Sequence, residues 1–457
     1  MPLLSNGNSA CHLSQFNYQR QIDTALAIPL RFDMGEILHQ KTVLDNGLRV
    51  LTSHMPNIHS VSIIFFIGVG SRYDSEAEAG VSHFMEHMCF KGTAKRPTSR
   101  DISEAIEGIG GIFNGGTDKE LTTYWCKVAH LHFAVALDIL VDLILNSRFD
   151  PEEIEKERRV IIEEINMIRD SPPQRAQMLI DELLWYGHPL GRDIAGNEAS
   201  VSTITREAIL NHLGKHYRPG NTVIAVAGNV KHQDVVAGIN QTLGNWTDQP
   251  VHPDYTAYQE QPGPRLHVEK RDTEQAHFYL ALPGLSLFHP RRYTLDLLNV
   301  VLGEGMSSRL FTEIRDKRGL AYSIHSYVDH LLDSGSVTIY AGVEPKNLRV
   351  AIEAILEQLA LLKQPVPVAE LNKVKELTKG RLLLRMEDSR SVAGWTGGQE
   401  ILTGRILSVE QVVSIIDGIT AEDIRQVAEE LLVDSRLRLA VVGPVAEDEP
   451  LDELLIL

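Results

Sequence analysis

The stretch Val81-Ser82-His83-Phe84-Met85-Glu86-His87-Met88 carries two imidazoles and a carboxylate at a spacing that a helix would gather. Residues one turn apart share a helical face, so His83 and His87 aim at one point and Glu86 stands beside them. Imidazole pairs so spaced suit zinc. A carboxylate between them can take a proton from an attacking water, which is the chemistry of inverted His-x-x-Glu-His sites. A catalytic zinc takes three protein ligands and keeps its fourth position for water, so the chain has to supply one more.

Residues 155–168 offer candidates in Glu157, Glu163 and Glu164. In a helix, Glu157 and Glu164 lie two turns apart on one face while Glu163 points elsewhere. Taken alone, a run of Glu, Lys and Arg is a solvated helix face. Together with the histidine helix, the run resembles the pitrilysin/insulinase family of zinc peptidases, whose motif has two downstream glutamates at this spacing. The resemblance implies that Glu164 is the third zinc ligand, that Glu157 orients the groups holding the metal, and that each chain binds one Zn2+.

Composition sets bounds on what surrounds these residues. With 457 residues, 43% of them hydrophobic and 23% charged, the chain can build two or three cores. No window has the apolar length of a membrane span. Cys11, Cys89 and Cys126 form no disulfide framework, which points to a reducing compartment such as the cytoplasm, with an organelle or the periplasm as alternatives. A net charge of −17 argues against a nucleic-acid partner and makes basic ones plausible. Near the N-terminus, residues 25–28 are too short for a secretory apolar core, and residues 1–38 read as an extension.

The elements that must position the site follow in order. Residues 42–52 form a hairpin signal around Asp45-Asn46-Gly47, and residues 61–69 an apolar strand leading into the histidine helix. Gly92 closes that helix. A helix over 99–107, strands over 112–118 and 121–128, helices near 132–145 and 174–185, and a strand over 222–228 complete this half. Clustering without strict alternation predicts an α+β fold. Proline and glycine mark residues 247–264 as a linker.

Shifted by about 215 positions, the pattern recurs, with strands expected at 276–282 and 438–443. On that shift His83, Glu86 and His87 become Leu298, Val301 and Leu302, and Glu157 and Glu164 become Asn372 and Lys379. We therefore expect two tandem α+β domains, a metal-binding one over 39–246 and a degenerate one over 265–457. This arrangement is similar to the family members of about 50 kDa, the bacterial homodimeric peptidases and the β subunit of mitochondrial processing peptidase.

That resemblance carries further expectations. Arg315 and Tyr322 match an Arg and a Tyr that contact substrate, and a guanidinium and a phenol can hold a peptide carbonyl or a developing oxyanion. Asn114, Gly115, Gly116 and Thr117 match an edge strand that receives substrate as an added strand, although the family usually has a small side chain where Gly115 stands. His130, His132, His325 and His330 read as structural. The expected activity is zinc-dependent endopeptidase cleavage of short or unfolded, often basic, presequence-like peptides by a homodimer, or by a heterodimer with a related subunit. A non-catalytic peptide-binding or assembly subunit of the same fold is the alternative.

Overall fold

The computed structural model describes residues 39–247 and 255–457, so the expected extension over 1–38 and the first part of the expected linker lie outside it. In the first half the order is β1 (His39–Val43), β2 (Arg49–His54), β3 (Ser60–Ile67), α1 (Val81–Cys89), α2 (Ser99–Glu107), β4 (Ile112–Thr117), β5 (Thr122–Ala129), α3 (Phe133–Asn146), α4 (Pro151–Asp170), α5 (Pro172–Leu184), α6 (Glu198–Thr203), α7 (Arg206–His216), β6 (Thr222–Gly228) and α8 (His232–Leu243). The second half runs β7 (Leu266–Lys270), β8 (Ala276–Pro283), α9 (Arg292–Leu302), β9 (Ala321–His330), β10 (Gly335–Val343), α10 (Leu348–Leu361), α11 (Val368–Arg385), α12 (Ser389–Thr403), α13 (Val409–Gly418), α14 (Ala421–Leu431) and β11 (Arg438–Gly443).

The expected hairpin at the start is β1 paired with β2, turned by Gly47 at a φ of 86° and by Asn46 Oδ1, which accepts from Leu48 N. Among the described residues the first sheet has six strands in the order β1-β2-β6-β3-β5-β4, the second five in the order β7-β11-β8-β10-β9. Leaving out β1, the two are one topology: β2–β6 and β7–β11 are parallel, and all other pairs are antiparallel. Both sheets are mixed and carry clustered helices, so the fold is α+β in two repeats. Three helices, α6, α7 and α8, went unread in the sequence because residues such as His212 and His216 break the apolar period.

Each half covers the other's sheet. Helix α5 packs on β8 and β11, burying Ala176, Leu179, Ile180 and Leu183 against Tyr279, Ala281, Ala440 and Val442. Its counterpart α12 packs on β3 and β6. There Gly397 is needed for close approach, since a Cβ would press on the Phe66 ring and sit 2.8 Å from Ala225 Cβ. Glu400 takes the Lys41 ammonium at 2.6 Å, and Ser389 Oγ meets Ser62 Oγ at 2.9 Å. With each large aliphatic side chain contributing roughly 1.5–3 kcal/mol when buried, exchanging these helices makes each sheet depend on the other half. Among the described residues no helix is long and apolar enough to cross a membrane.

Candidate functional site

Helix α1 starts at Gly80, whose φ of 94° excludes most side chains and whose Cα packs against the Ala195 backbone. With no side chain of its own to offer, Gly80 leaves the capping to Asp74. Asp74 Oδ2 accepts from the backbone N–H groups of Gly80 (3.0 Å) and Ser82 (3.3 Å), and Oδ1 accepts from Ser82 Oγ (2.5 Å). Burial pushes the Asp74 carboxyl up to about 7 against these bonds. The helix so anchored buries Val81, Phe84, Met85 and Met88 in the first core and turns His83, Glu86 and His87 to one side.

His83 Nε2 and His87 Nε2 stand 3.1 Å apart. Glu164 Oε2, from α4, is 3.9 Å from the first and 3.7 Å from the second. Glu157, two turns earlier on α4, accepts from His87 Nδ1 at 2.8 Å and takes the Lys91 ammonium at 2.6 Å. That bond fixes the His87 proton on Nδ1 and leaves the Nε2 lone pair facing His83. The two downstream glutamates and the two histidines are thus brought together. Glu163 contributes to none of these contacts.

A metal would fit here. Four tetrahedral ligands at about 2.0–2.1 Å from a zinc ion lie about 3.3 Å from one another, close to the spacings above, and Glu164 is partly exposed and free to close. His83 Nδ1 is buried without a protein partner and its Nε2 is aimed at another ring nitrogen, an electron-rich arrangement that a cation satisfies. Ligand atoms of His83, Glu86 and His87 all lie within 4.8 Å of one another.

Burial, together with the neighbouring His87, pushes His83 down to about 3, so it is neutral and ready to ligate. His87 moves the other way. Burial would lower it, but the bond to Glu157 and the surrounding carboxylates carry it above its ordinary value. Burial would raise Glu157, yet its bonds from His87 and Lys91 hold it below the usual carboxylate range. Glu86 is 8% exposed, and burial pushes it up to about 7.

Among the described residues strand β4 is an edge of the first sheet, and it runs past this cluster. A Cβ on Gly115 would collide with Glu86 Oε1 and with the Phe90 ring, whereas one on Gly116 would meet only Thr123 Oγ1, at 3.8 Å. The Glu86 carboxylate therefore rests against the edge strand, and the bare Gly115 makes that possible. Asn114, Gly115, Gly116 and Thr117 all border a cavity of about 520 Å³ that includes His83, Glu86, His87 and Glu164.

The far wall of the cavity was not singled out in the sequence. It comes from Gln174, Gln177 and Asp181 on α5 and from Lys119, Arg192 and Asp193. The signal was there, because 174, 177 and 181 share the polar face opposite the apolar one formed by Ala176, Leu179, Ile180 and Leu183. Lys119 is held by Asp181 (2.7 Å) and Leu190 O (2.6 Å) over the Trp185 ring.

Arg315 and Tyr322 are elsewhere. They meet each other, the guanidinium 4.9 Å from the Tyr322 ring and 4.7 Å from Phe311, on a π-helical turn over Phe311–Lys317 and the start of β9. Tyr322 is 78% exposed, and neither residue lines the cavity of its own chain.

Comparison with known proteins adds to this geometry. Residues 49–198 match the family model described as insulinase (peptidase family M16), and residues 203–378 match the one described as peptidase M16 inactive domain. An uncharacterized zinc protease of Mycobacterium leprae is 37% identical over 417 residues, covering 90% of this chain and 93% of its own. One from Bacillus subtilis is 36% identical over 407 residues, covering 87% and 97%. The crystal structure of a protease from Helicobacter pylori superposes with a TM-score of 0.84 at 24% identity, covering 90% of this chain and all of its own.

Proposed function

Since the chain belongs to the insulinase (M16) peptidase family and is a zinc protease of that type, we propose that it is an endopeptidase binding one zinc per chain through His83, His87 and Glu164. The observation that carries this reading is the triangle of Nε2, Nε2 and Oε2 atoms, backed by the Glu157 bond to His87. The bound ion would supply a Lewis acid that polarises a scissile carbonyl and brings a water's pKa toward about 7. Glu86 takes the proton from the attacking water and gives it to the leaving amine. Burial raises its pKa in the metal-free protein, which favours it as a proton acceptor. Glu157 holds His87 in the tautomer that directs Nε2 inward.

Substrate enters as an added strand on β4, presenting its backbone to Asn114–Thr117 beside Glu86. This selects extended peptides over folded proteins. The chain's charge of −17 favours basic, presequence-like ones. Arg315 and Tyr322 grip substrate from the second subunit of a two-fold dimer, in keeping with the exposure of Tyr322 and with the absence of both from the lining of their own chain's cavity. The catalytic domain spans 39–246 and the degenerate one 265–457, joined over 247–264. The buried free thiols of Cys89 and Cys126 accord with a reducing compartment.

The test is cleavage of an unstructured basic peptide before and after chelation. Activity should vanish with the metal and return when zinc is restored. Cleavage indifferent to chelator, or none by a zinc-loaded dimer, would overturn the reading.

A further inference from the structure

The turn joining β9 to β10 is four residues long, and every one of them engages the first half or the segment leading from it. Leu331 packs into the core around α5. The Leu332 amide donates to both carboxylate oxygens of Glu120, at 3.1 and 2.9 Å. Asp333 accepts from Arg72 Nη2 at 3.0 and 3.1 Å and from Tyr258 N at 2.8 Å. Ser334 Oγ accepts from Trp185 Nε1 at 2.9 Å.

Those partners are the ends of the elements that wall the cavity. Arg72 precedes α1, Glu120 follows β4 and Trp185 ends α5. The Arg72 guanidinium has no exposed surface and is also held by Glu120, by Thr256 O at 3.1 Å and by the Tyr255 ring at 4.1 Å. Its backbone N–H donates to Lys119 O at 2.9 Å, and that of Ser71 to Asp118 O at 3.1 Å, so the strand leaving β4 is tied to the approach to α1. Trp185, oriented by Ser334, is the ring over which Lys119 sits in the cavity wall.

We infer that Asp333, with its neighbours Leu332 and Ser334, is a positioning residue for the cavity, by which the degenerate half fixes the edge strand β4 against α1 and α5. A strand that accepts a peptide by backbone pairing must be held straight at its exit, and among the described residues β4 has β5 alone beside it. The clasp at residues 331–334 supplies that restraint at Asp118–Glu120, outside the metal cluster. A buried guanidinium that loses one of its two carboxylates keeps its charge and has to be satisfied by rearrangement, which loosens what it held. The inference rests on the substrate path proposed above, but its first readout does not.

The experiment compares amide exchange and kinetics of wild type with Asp333→Ala, and with Asp333→Asn as the milder change because its amide oxygen still accepts from Arg72. Exchange over 112–121 should quicken about tenfold in Asp333→Ala, while 39–43, the opposite edge of the same sheet, stays unchanged. For an extended peptide KM should rise about tenfold with kcat within about twofold, and zinc content should hold. Asp333→Asn should give a smaller shift of the same pattern. Unchanged exchange over 112–121, equal quickening at both edges, or a fall in kcat with KM unchanged would overturn the inference. Failure of wild type to cleave any peptide would instead undo the proposed function and leave the exchange comparison standing.

Discussion

The pair α1–α4 in the first half and the pair α9–α11 in the second occupy the same place in the same topology and are filled with opposite chemistry. Where α1 turns His83, Glu86 and His87 inward, α9 offers Leu298, Val301 and Leu302, each buried in the second core. Where α4 presents Glu164, α11 carries Lys379, whose ammonium is held by Asp417 and Glu376. The aliphatic version costs nothing in desolvation. The polar version holds a neutral imidazole pushed down to about 3 beside a carboxyl pushed up to about 7, an electrostatic burden that a metal ion relieves. One scaffold thus tolerates either filling, and the difference between the halves is chemistry, with the fold held constant.

The largest effect should come from Glu86, one of three site residues whose counterparts across the repeat are aliphatic. Glu86→Gln should lower kcat by about 10²-fold or more while zinc stays bound, because the base is removed and the ligands are not. Loss of metal in that variant would exchange its role with that of Glu164. Glu157→Gln should next weaken zinc binding by about 10–100-fold, since His87 loses the acceptor that orients it. Glu163→Gln, on the same helix but outside the cluster, should leave zinc affinity alone, and competition with a chelator measures both.

The pH dependence follows from Glu86. Burial raises its pKa to about 7 in the metal-free protein, and a bound cation would bring it down from there. The rate of the zinc-loaded enzyme should fall about tenfold per pH unit below the Glu86 pKa, and this acid limb should be missing in Glu86→Gln. An acid limb unchanged in Glu86→Gln would remove Glu86 from the proton path.

A smaller effect tests what the second half contributes from the partner subunit. Homodimers of His83→Ala or of Arg315→Ala should cleave poorly. Co-refolded in equal amounts, they should recover about a quarter of wild-type activity, because about half the dimers are mixed and each holds one intact composite site. No recovery with subunit exchange confirmed would confine Arg315 and Tyr322 to their own chain or remove them from catalysis.

How much of this was legible beforehand depends on the range of the interaction. The histidine helix follows from helical spacing, which is local; the same spacing puts Glu157 and Glu164 on one face, and the family resemblance is what makes Glu164 the ligand. The repeat was visible because apolar strands recur at a fixed shift. By contrast, an amphipathic helix announces that it has a partner without saying which, so nothing in residues 172–184 or 389–403 reveals that α5 and α12 cross to the opposite sheets. Asp74 caps α1 from six residues upstream of Gly80, beyond any local capping pattern. The Arg72–Asp333 contact joins residues 261 positions apart and exists only because both halves are folded. Proline and glycine read residues 247–264 as a linker, and nothing in that composition reveals that the Tyr258 amide donates to Asp333.

That the first half alone holds the metal is tested most directly by metal analysis. Purified protein, dialysed and titrated with zinc, should bind one ion per chain with high affinity, and His83→Ala or Glu164→Gln should lose that ion while the protein stays folded. Two tight ions per chain, or one that survives both substitutions, would contradict it.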